Sequence, residues 1–402
     1  MITEALILAA GKGTRMWPLT EKLPKPLLPL CGKSIIEQQI IALEKVGVKR
    51  INILIGHRMK EISDLLGNGN KYEVKINYIV QSEQKGTGHA VSLAEKHIDN
   101  AFFCLNGDTL INEENLKRLA KKDNEMAMMV TNVDDGSDFG VVKSENGILT
   151  EIIEKGFSGK SSINAGIYLF NKKIFKSLKS IKKSIRGEIE LTDALILNKI
   201  YTIEYIGFWK DIGSPWDLLT ANESCIDQIE NEVYGNIEDN VNINGNIYLG
   251  KDSIIKSGTY IEGPIWIGEN CVIGPNAYLR KGTVLCANNK VGAASEVKNS
   301  ILFENAKAPH HNYVGDSIIG KNCNLGSGTK IANLRLDKKE IQVILKGKRV
   351  DSGRKKLGVI MGDNVKTGIN ASINSGTIIG SDSRIGPNAM ISGTYESKSL
   401  II

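Results

Sequence analysis

Cysteine is sparse in this chain and has no metal spacing: the six stand at 31, 104, 225, 271, 286 and 323, with no C-x-x-C pair. That excludes a ribbon-type zinc site and a disulfide framework, so reduced, partly buried thiols are expected. Long apolar runs are missing too. No stretch approaches the roughly 20 residues that cross a bilayer, and the first residues lack a basic segment followed by a cleavage site. A cytoplasmic protein with no membrane partner is the expectation. Aromatic residues amount to 6%, and the net charge of +6 is spread along the chain rather than gathered with aromatics on one surface. A nucleic-acid partner is therefore not expected, and phosphorylated small molecules account equally well for the excess of cations. What is present is globular in character, 41% hydrophobic and 24% charged. At 402 residues, however, the chain is too long for one ordinary core, so two domains are expected.

The two differ in grammar. Up to about residue 230, strand-like runs alternate with helical ones: Arg50 to Ile55 before Met59 to Leu66, Lys75 to Val80 before Thr87 to Ile98, and Ala101 to Leu105 before Glu113 to Lys121. Further strands are expected at Met126 to Val133, Ile163 to Phe170 and Thr202 to Phe208. Such βαβ alternation predicts an α/β, Rossmann-like domain over residues 1–230 with a mostly parallel sheet. From Ile237 onward an aliphatic residue recurs every six positions through Val297; the register then slips by four and resumes at Ile301. Neither a helix nor an isolated strand has that period. Hexapeptide coils do, because each buries its aliphatic residue only against its neighbours. Residues 231–402 are thus expected to form a parallel β-helix. Asn333 to Gly358 breaks the cadence, is basic, and should leave the coil as an excursion.

The segment Leu8 to Leu28, LAAGKGTRMWPLTEKLPKPLL, follows the apolar run from Glu4. It leaves the carboxyl end of a buried strand, where α/β folds hold ligands. Glycines at 11 and 13 let backbone N–H groups approach phosphate oxygens. Arg15 offers a planar fork to a terminal phosphate and Lys25 a point charge. The string is neither a P-loop nor the dinucleotide G-x-G-x-x-G.

These residues resemble the sugar-phosphate nucleotidylyltransferases, which join a nucleoside triphosphate to a sugar 1-phosphate and release pyrophosphate. The resemblance is greatest to the bifunctional branch that combines N-acetylglucosamine-1-phosphate uridylyltransferase with glucosamine-1-phosphate acetyltransferase, in its archaeal form. It implies that Leu8, Ala10, Gly11, Gly13 and Thr14 hold the nucleotide, with Gln81, Gly86 and Thr87 of QSEQKGTGHA on its base. It makes Arg15, Lys25 and Asp108 catalytic, with Asp108 and Asp211 on magnesium. Asp211 is like the thymidylyltransferase branch, whereas bacterial bifunctional enzymes carry Asn there, so UTP and dTTP both stand. For the sugar phosphate it implies Gly140, Glu154, Lys155, Asn164 and, from the RGEIELTD element beginning at Arg186, Glu190.

In the coil, AKAPHHNYVGD matches the acetyltransferase pattern A-G-H-x-x-Y-x-G-D at Ala308, His310, Tyr313, Gly315 and Asp316, with Pro309 in place of glycine. His310 is then the base that frees an amine to attack a thioester, and His311 competes for the role. The resemblance assigns Arg280, Lys298, Tyr313, Asn324, Asn333 and Lys339 to the amino-sugar phosphate and acetyl coenzyme A as co-substrate. Leu334 and Ile369 replace the Tyr and Ser of bacterial relatives, so Lys346, Lys348, Arg349 and Arg354 of the excursion are candidates for the coenzyme's phosphates. It further implies a left-handed, three-sided helix and a homotrimer. Two other readings stand: a single-activity thymidylyl- or uridylyltransferase with a structural coil, and a non-catalytic regulatory subunit. The second fits poorly with a complete set of Arg15, Lys25, Asp108 and Asp211.

Overall fold

A computed structural model describes residues 2–402 except 57, 123, 155, 185, 186 and 346. The chain divides into two compact units: Met1–Lys12, Pro24–Leu27 and Ser34–Asp211, and then Gly13–Leu23, Leu28–Lys33 and Ile212–Ile402.

The first unit is built on a nine-stranded sheet. Its parallel part runs Lys75–Val80, Arg50–Ile55, Glu4–Leu8, Phe102–Asn106. Ser161–Phe170 continues it antiparallel, followed by Met126–Val133, Ile200–Glu204 and the hairpin Gly140–Glu145 with Ile148–Glu154. Buried side chains such as Leu6, Leu54, Phe102, Met128 and Tyr168 form one core beneath it, which fits the βαβ reading of the sequence. The expected strand from Thr202 to Phe208 is Ile200–Glu204 instead. The expected helix from Thr87 is shorter, Thr87–Ser92 with a 3₁₀ turn at Glu95–His97. There the Ser92 hydroxyl donates back to the His89 carbonyl at 2.7 Å, a local bond that competes with helix continuation.

The helix Ile35–Lys45 starts in a capping box: the Ser34 N–H donates to Glu37 Oε2 at 2.8 Å and the Glu37 N–H to Ser34 Oγ at 3.3 Å. Tyr72 and Lys71 also donate to Glu37 Oε1, at 2.6 and 3.2 Å. Burial alone would raise this carboxyl's pKa, but the bonds from Tyr72 and Ser34 with the Lys71 charge bring it below the ordinary value.

The second unit is a left-handed parallel β-helix of hexapeptide repeats with three strand faces. Residues 18 apart stack at first, as Ile247 does on Ile265. From Val284 on Ile301 to Tyr313 on Lys330 the spacing is 17, and past the excursion it returns to 18, as Ile360 stacks on Ile378. The inward column runs through Ile267, Ile273, Leu279, Leu285, Val291 and Val297, then Leu302. The register therefore slips by five to Leu302, not by four to Ile301, because the corner at Asn299 is one residue shorter than the corner at Gly282. Corner residues adopt positive φ, and asparagine fills many: Asn270 (56°), Asn288 (62°), Asn305 (60°), Asn322 (57°) and Asn364 (60°). Asparagine tolerates this region better than other side chains. Their amides also join successive coils, Asn305 to Asn322 at 2.8 Å, Asn322 to Asn364 at 3.2 Å and Asn364 to Asp382 at 2.7 Å.

The excursion leaves the coil after Asn333 and returns at Gly358. Its core is an antiparallel hairpin of Gln342–Leu345 with Lys348–Asp351, seated by buried Ile341 and Val343.

Candidate functional site

In the first unit, Leu8, Gln81 and Asp108 stand at or just past the carboxyl ends of parallel strands. Leu8 closes the strand Glu4–Leu8 beside Asn106 and Leu54. The Gly107 N–H donates to the Leu8 carbonyl at 3.1 Å, and a Cβ on Gly107 would lie 2.7 Å from that oxygen, so only glycine lets the turn pass. The Ala10 carbonyl accepts the Gln84 amide at 2.7 Å, and Gly11 is exposed with open space around its Cα.

The turn after Phe102–Asn106 carries Asp108, whose Oδ2 lies 2.6 Å from Lys25 Nζ. The lysine is only 7% exposed, so its cation is compensated at short range by that carboxylate. An antiparallel bridge between Thr109 and Asp211 brings the second carboxylate's backbone alongside. Gln39, buried on the helix Ile35–Lys45, donates to the Asn106 and Thr109 carbonyls at 2.7 and 2.8 Å and clamps this turn. Nothing in the sequence spacing pointed to Gln39, because its partners are backbone atoms far along the chain. Two carboxylates on adjoining backbone suit magnesium, which takes one or two of them and completes its shell with phosphate and water. No preformed cluster of three or more metal-ligating side chains exists among the described residues.

Gln81 follows the strand Lys75–Val80 and is buried. Its Nε2 lies 3.2 Å from His89 Nδ1. The loop at Gly86 and Thr87 is pinned to the segment before the helix Leu191–Ile196. The Gly88 N–H donates to the Ile189 carbonyl at 2.8 Å, and the Leu191 N–H to Thr87 Oγ1 at 3.1 Å. Gly140 and Glu154 are direct cross-strand partners, and Ile163, next to Asn164, pairs with Val141. Asn164 donates to the Tyr168 hydroxyl at 2.7 Å. Glu190 precedes the helix Leu191–Ile196 and accepts from Ser184 Oγ at 3.3 Å. Lys155 and Arg186 lie outside the described residues.

The segment from Gly13 belongs to the second unit. Gly13 has φ 61° and precedes the 3₁₀ turn Thr14–Met16, in which Thr14 and Arg15 are exposed. Its carbonyl accepts from Thr20 Oγ1 at 2.9 Å. The segment is tied to the coil by Lys22 to Asp382, 2.7 Å, and by Glu21, which accepts the Ser381 N–H at 3.0 Å.

On one face of the coil, Arg280, Lys298 and Gly315 stack in register, and Glu296 stacks on Tyr313. Arg280 reaches Glu296 at 3.0 Å. Asp316, at a corner with φ 49°, is 2% exposed. It accepts from Lys298 Nζ at 3.2 Å, Asn299 Nδ2 at 2.8 Å and Asn333 Nδ2 at 2.5 Å. Burial pushes the Tyr313 phenol pKa up. Tyr313 also lines a cavity of about 450 Å³ with Lys330, Ser372, Asn374 and Met390.

His310 ends the strand Lys307–His310 and is exposed; its N–H donates to Asn312 Oδ1 at 3.1 Å. His311 occupies the adjoining corner, φ 52°. Arg280, Lys298, Tyr313 and Asn333 thus come together. Asn324 does not join them: it bridges Lys307 and Lys366 on another face. Lys339 lies in the excursion and is exposed. Arg354, one of the candidates for the coenzyme's phosphates, is engaged by Glu223 at 2.5 Å and Thr220 at 2.8 Å. Lys348 and Arg349 are exposed, and Lys346 lies outside the described residues.

Against known proteins, residues 4–228 match the nucleotidyl transferase family model. Residues 261–368 match the GMPPB C-terminal domain and residues 358–393 the bacterial transferase hexapeptide, six repeats. The chain is 44% identical to the bifunctional protein GlmU of Methanococcus maripaludis strain C5, over 99% of this chain and 97% of that one. It is 43% identical to the bifunctional sugar-1-phosphate nucleotidylyltransferase/acetyltransferase of Sulfurisphaera tokodaii, over 96% and 97%. A Bacillus anthracis crystal structure described as a glucose-1-phosphate thymidylyltransferase, bound to sucrose, superposes with a TM-score of 0.52 at 28% identity, covering 58% of this chain and 98% of that one.

Proposed function

Since the chain belongs to the family of bifunctional sugar-1-phosphate nucleotidylyltransferases and acetyltransferases, we propose that it performs both transfers in nucleotide-sugar synthesis. Acetyl passes from acetyl coenzyme A to glucosamine 1-phosphate, and uridylyl from UTP, or thymidylyl from dTTP, to N-acetylglucosamine 1-phosphate with release of pyrophosphate. The observation that carries this reading is similarity to bifunctional relatives across nearly the whole chain, nucleotidyl transferase and hexapeptide parts alike.

For nucleotidyl transfer, the sugar-phosphate oxygen attacks the α-phosphorus in line. That oxygen is already ionised, so no side-chain nucleophile or strong base is required. Arg15 and Lys25 neutralise the triphosphate, and the loop Leu8 to Thr14 supplies backbone N–H groups. Gln81, Gly86 and Thr87 read the base; Gly140, Glu154, Lys155, Asn164 and Glu190 orient the sugar phosphate. Asp108 and Asp211 would hold magnesium, which would supply charge neutralisation on the phosphates. The close Lys25–Asp108 pair and the Asp211 bridge support this grouping.

For acetyl transfer, His310 removes a proton from the amine so that its lone pair reaches the thioester carbon. Arg280 and Lys298 take the acceptor's phosphate, and Tyr313, Asn324, Asn333 and Lys339 its sugar. Since Asn324 and Tyr313 lie on different faces of one coil, a homotrimer in which neighbouring coils pair unlike faces is the assembly we propose. The cytoplasm is the compartment we propose for the reaction. Coupled assays with UTP or dTTP and each sugar phosphate, with and without acetyl coenzyme A, test the reading. One product without the other defeats it.

A further inference from the structure

We infer that His89 is a positioning residue for nucleotide choice: its ring holds the Gln81 amide in the orientation that accepts uracil or thymine and rejects cytosine. This rests on the reading that Gln81 meets the base.

Gln81 is 6% exposed, and its backbone is fixed by its N–H donating to the Ile55 carbonyl at 2.7 Å. The only freedom left that matters is which end of the amide points where. His89 stands in the first turn of the helix Thr87–Ser92, with Nδ1 3.2 Å from Gln81 Nε2. An amide nitrogen can only donate, so Nδ1 must present its lone pair, and the ring is neutral with its proton on Nε2. One amide hydrogen is then used by the ring. The other, lying on the same side as Oε1, leaves a donor beside an acceptor. Uracil and thymine present N3–H beside a carbonyl oxygen, which this pair matches. Cytosine presents an acceptor at N3 beside an amino donor, which would require the amide turned over and its oxygen set against the Nδ1 lone pair.

The platform around this pair is stiff. Gly86 has φ 100°, and a Cβ there would lie 2.4 Å from the Ile189 carbonyl oxygen. The Ile189 N–H donates to Lys85 at 2.8 Å. Burial lowers the pKa of His89, the Lys85 charge lowers it further, and Glu83 opposes. The ring is therefore uncharged at neutral pH, and the Gln81 Nε2 facing Nδ1 is what makes that nitrogen the acceptor. Below its pKa, Nδ1 carries a proton and favours the reversed amide.

The test is pyrophosphate release from UTP and CTP by the full-length enzyme with magnesium and sugar 1-phosphate, across pH 5–8. His89→Ala should reduce the UTP-over-CTP ratio of kcat/KM about tenfold, the size of one lost hydrogen bond to a buried polar group, mostly through KM. Near- and far-ultraviolet circular dichroism of the same variant against the unaltered protein serves as its folding control. In the unaltered enzyme the ratio should fall as pH drops below the ordinary histidine value of 6.5. His89→Asn places an acceptor near the position of Nδ1 and does not titrate, so it should keep the ratio and lose that pH dependence. If Gln81→Ala loses the ratio while His89→Ala keeps both ratio and pH profile, the inference is overturned and the base reading survives. If Gln81→Ala also keeps the ratio, both are overturned.

Discussion

The two units organise chemistry in opposite ways. In the first, each proposed side chain arrives from a different element: Lys25 from a 3₁₀ turn, Asp108 from the end of Phe102–Asn106, Gln81 from the end of Lys75–Val80. In the second, Arg280 and Lys298 occupy the same place in successive coils and meet because the coil repeats. A sheet edge gathers unlike residues through long connections, so the first site depends on turn geometry such as the Gln39 clamp. A coil presents its residues in rows, so the second site depends on which row and which face each one joins. The lesson is that damage should remain local to one chemistry in either unit, but for different physical reasons.

The sharpest way to break the comparison is to remove charge from the sheet edge. Lys25→Ala or Asp108→Ala should lower pyrophosphate release at least about 100-fold, the range for a preorganised electrostatic group, with acetyl transfer unchanged. Phosphate-release assays beside a thiol assay for coenzyme A check both, and retained nucleotidyl turnover would refute the assignment. His310→Ala is the mirror experiment. It should cost about 100-fold in acetyl transfer, the usual lower range for a lost general base, and leave pyrophosphate release intact. An unchanged acetylation rate would pass the role to His311.

The same contrast governs what was legible in the sequence. The coil was readable as arithmetic, since a column that must be buried repeats every six residues. The arithmetic failed where a corner loses a residue, first at Asn299, which moved the column to Leu302, and again between Val314 and Ile319. Asparagine corners were readable in principle, because Asn270, Asn288 and Asn305 keep the same cadence as the glycines. At the sheet edge, motifs pointed to Gln81, Asp108 and Asp211, yet nothing in their spacing announces the partners that orient them. Gln39 acts on backbone carbonyls, and His89 acts through a ring whose role appears only when the helix Thr87–Ser92 brings it to Gln81. The hairpin Gln342–Leu345 with Lys348–Asp351 was hidden for a related reason: Lys348 and Arg349 mask the alternation on its short strands.

Two changes in the coil sharpen the row argument. Asp316→Ala leaves Lys298 without its carboxylate and Asn333 without this acceptor, while Asn299 keeps only Glu223, so about 3 kcal/mol of stability should be lost, as when one member of a buried pair is removed. Denaturant unfolding measures it, and a loss under 1 kcal/mol would show that the cluster is not structural. Asn322→Ala forces a Cβ-bearing residue without a helpful amide into positive φ and cuts two rungs of the ladder. About 1–2 kcal/mol should follow from the backbone alone, while Asn322→Gly should cost less. Equal losses for the two would assign the effect to the amide ladder instead of the corner.

The smallest expected effect lies in the sheet unit and depends on pH. Glu37 has its pKa in the folded protein brought below the ordinary 4.5, since the bonds from Tyr72 and Ser34 outweigh the upward pull of burial. A group of this kind contributes stability that is fully present above 4.5 and disappears as pH falls through the lowered value. Glu37→Gln keeps the shape of the capping box and removes the charge. It should cost about 1 kcal/mol at neutral pH, the usual worth of a helix cap, and nothing once the pH is low enough to protonate the native carboxyl. Residual nucleotidyl and acetyl activities after brief heating, measured from pH 3 to pH 7, read the two units separately. Only the nucleotidyl curve of the variant should flatten. If both curves shift together, the units do not lose their structure independently, and the contrast between a site built from turns and a site built from rows would not extend to stability.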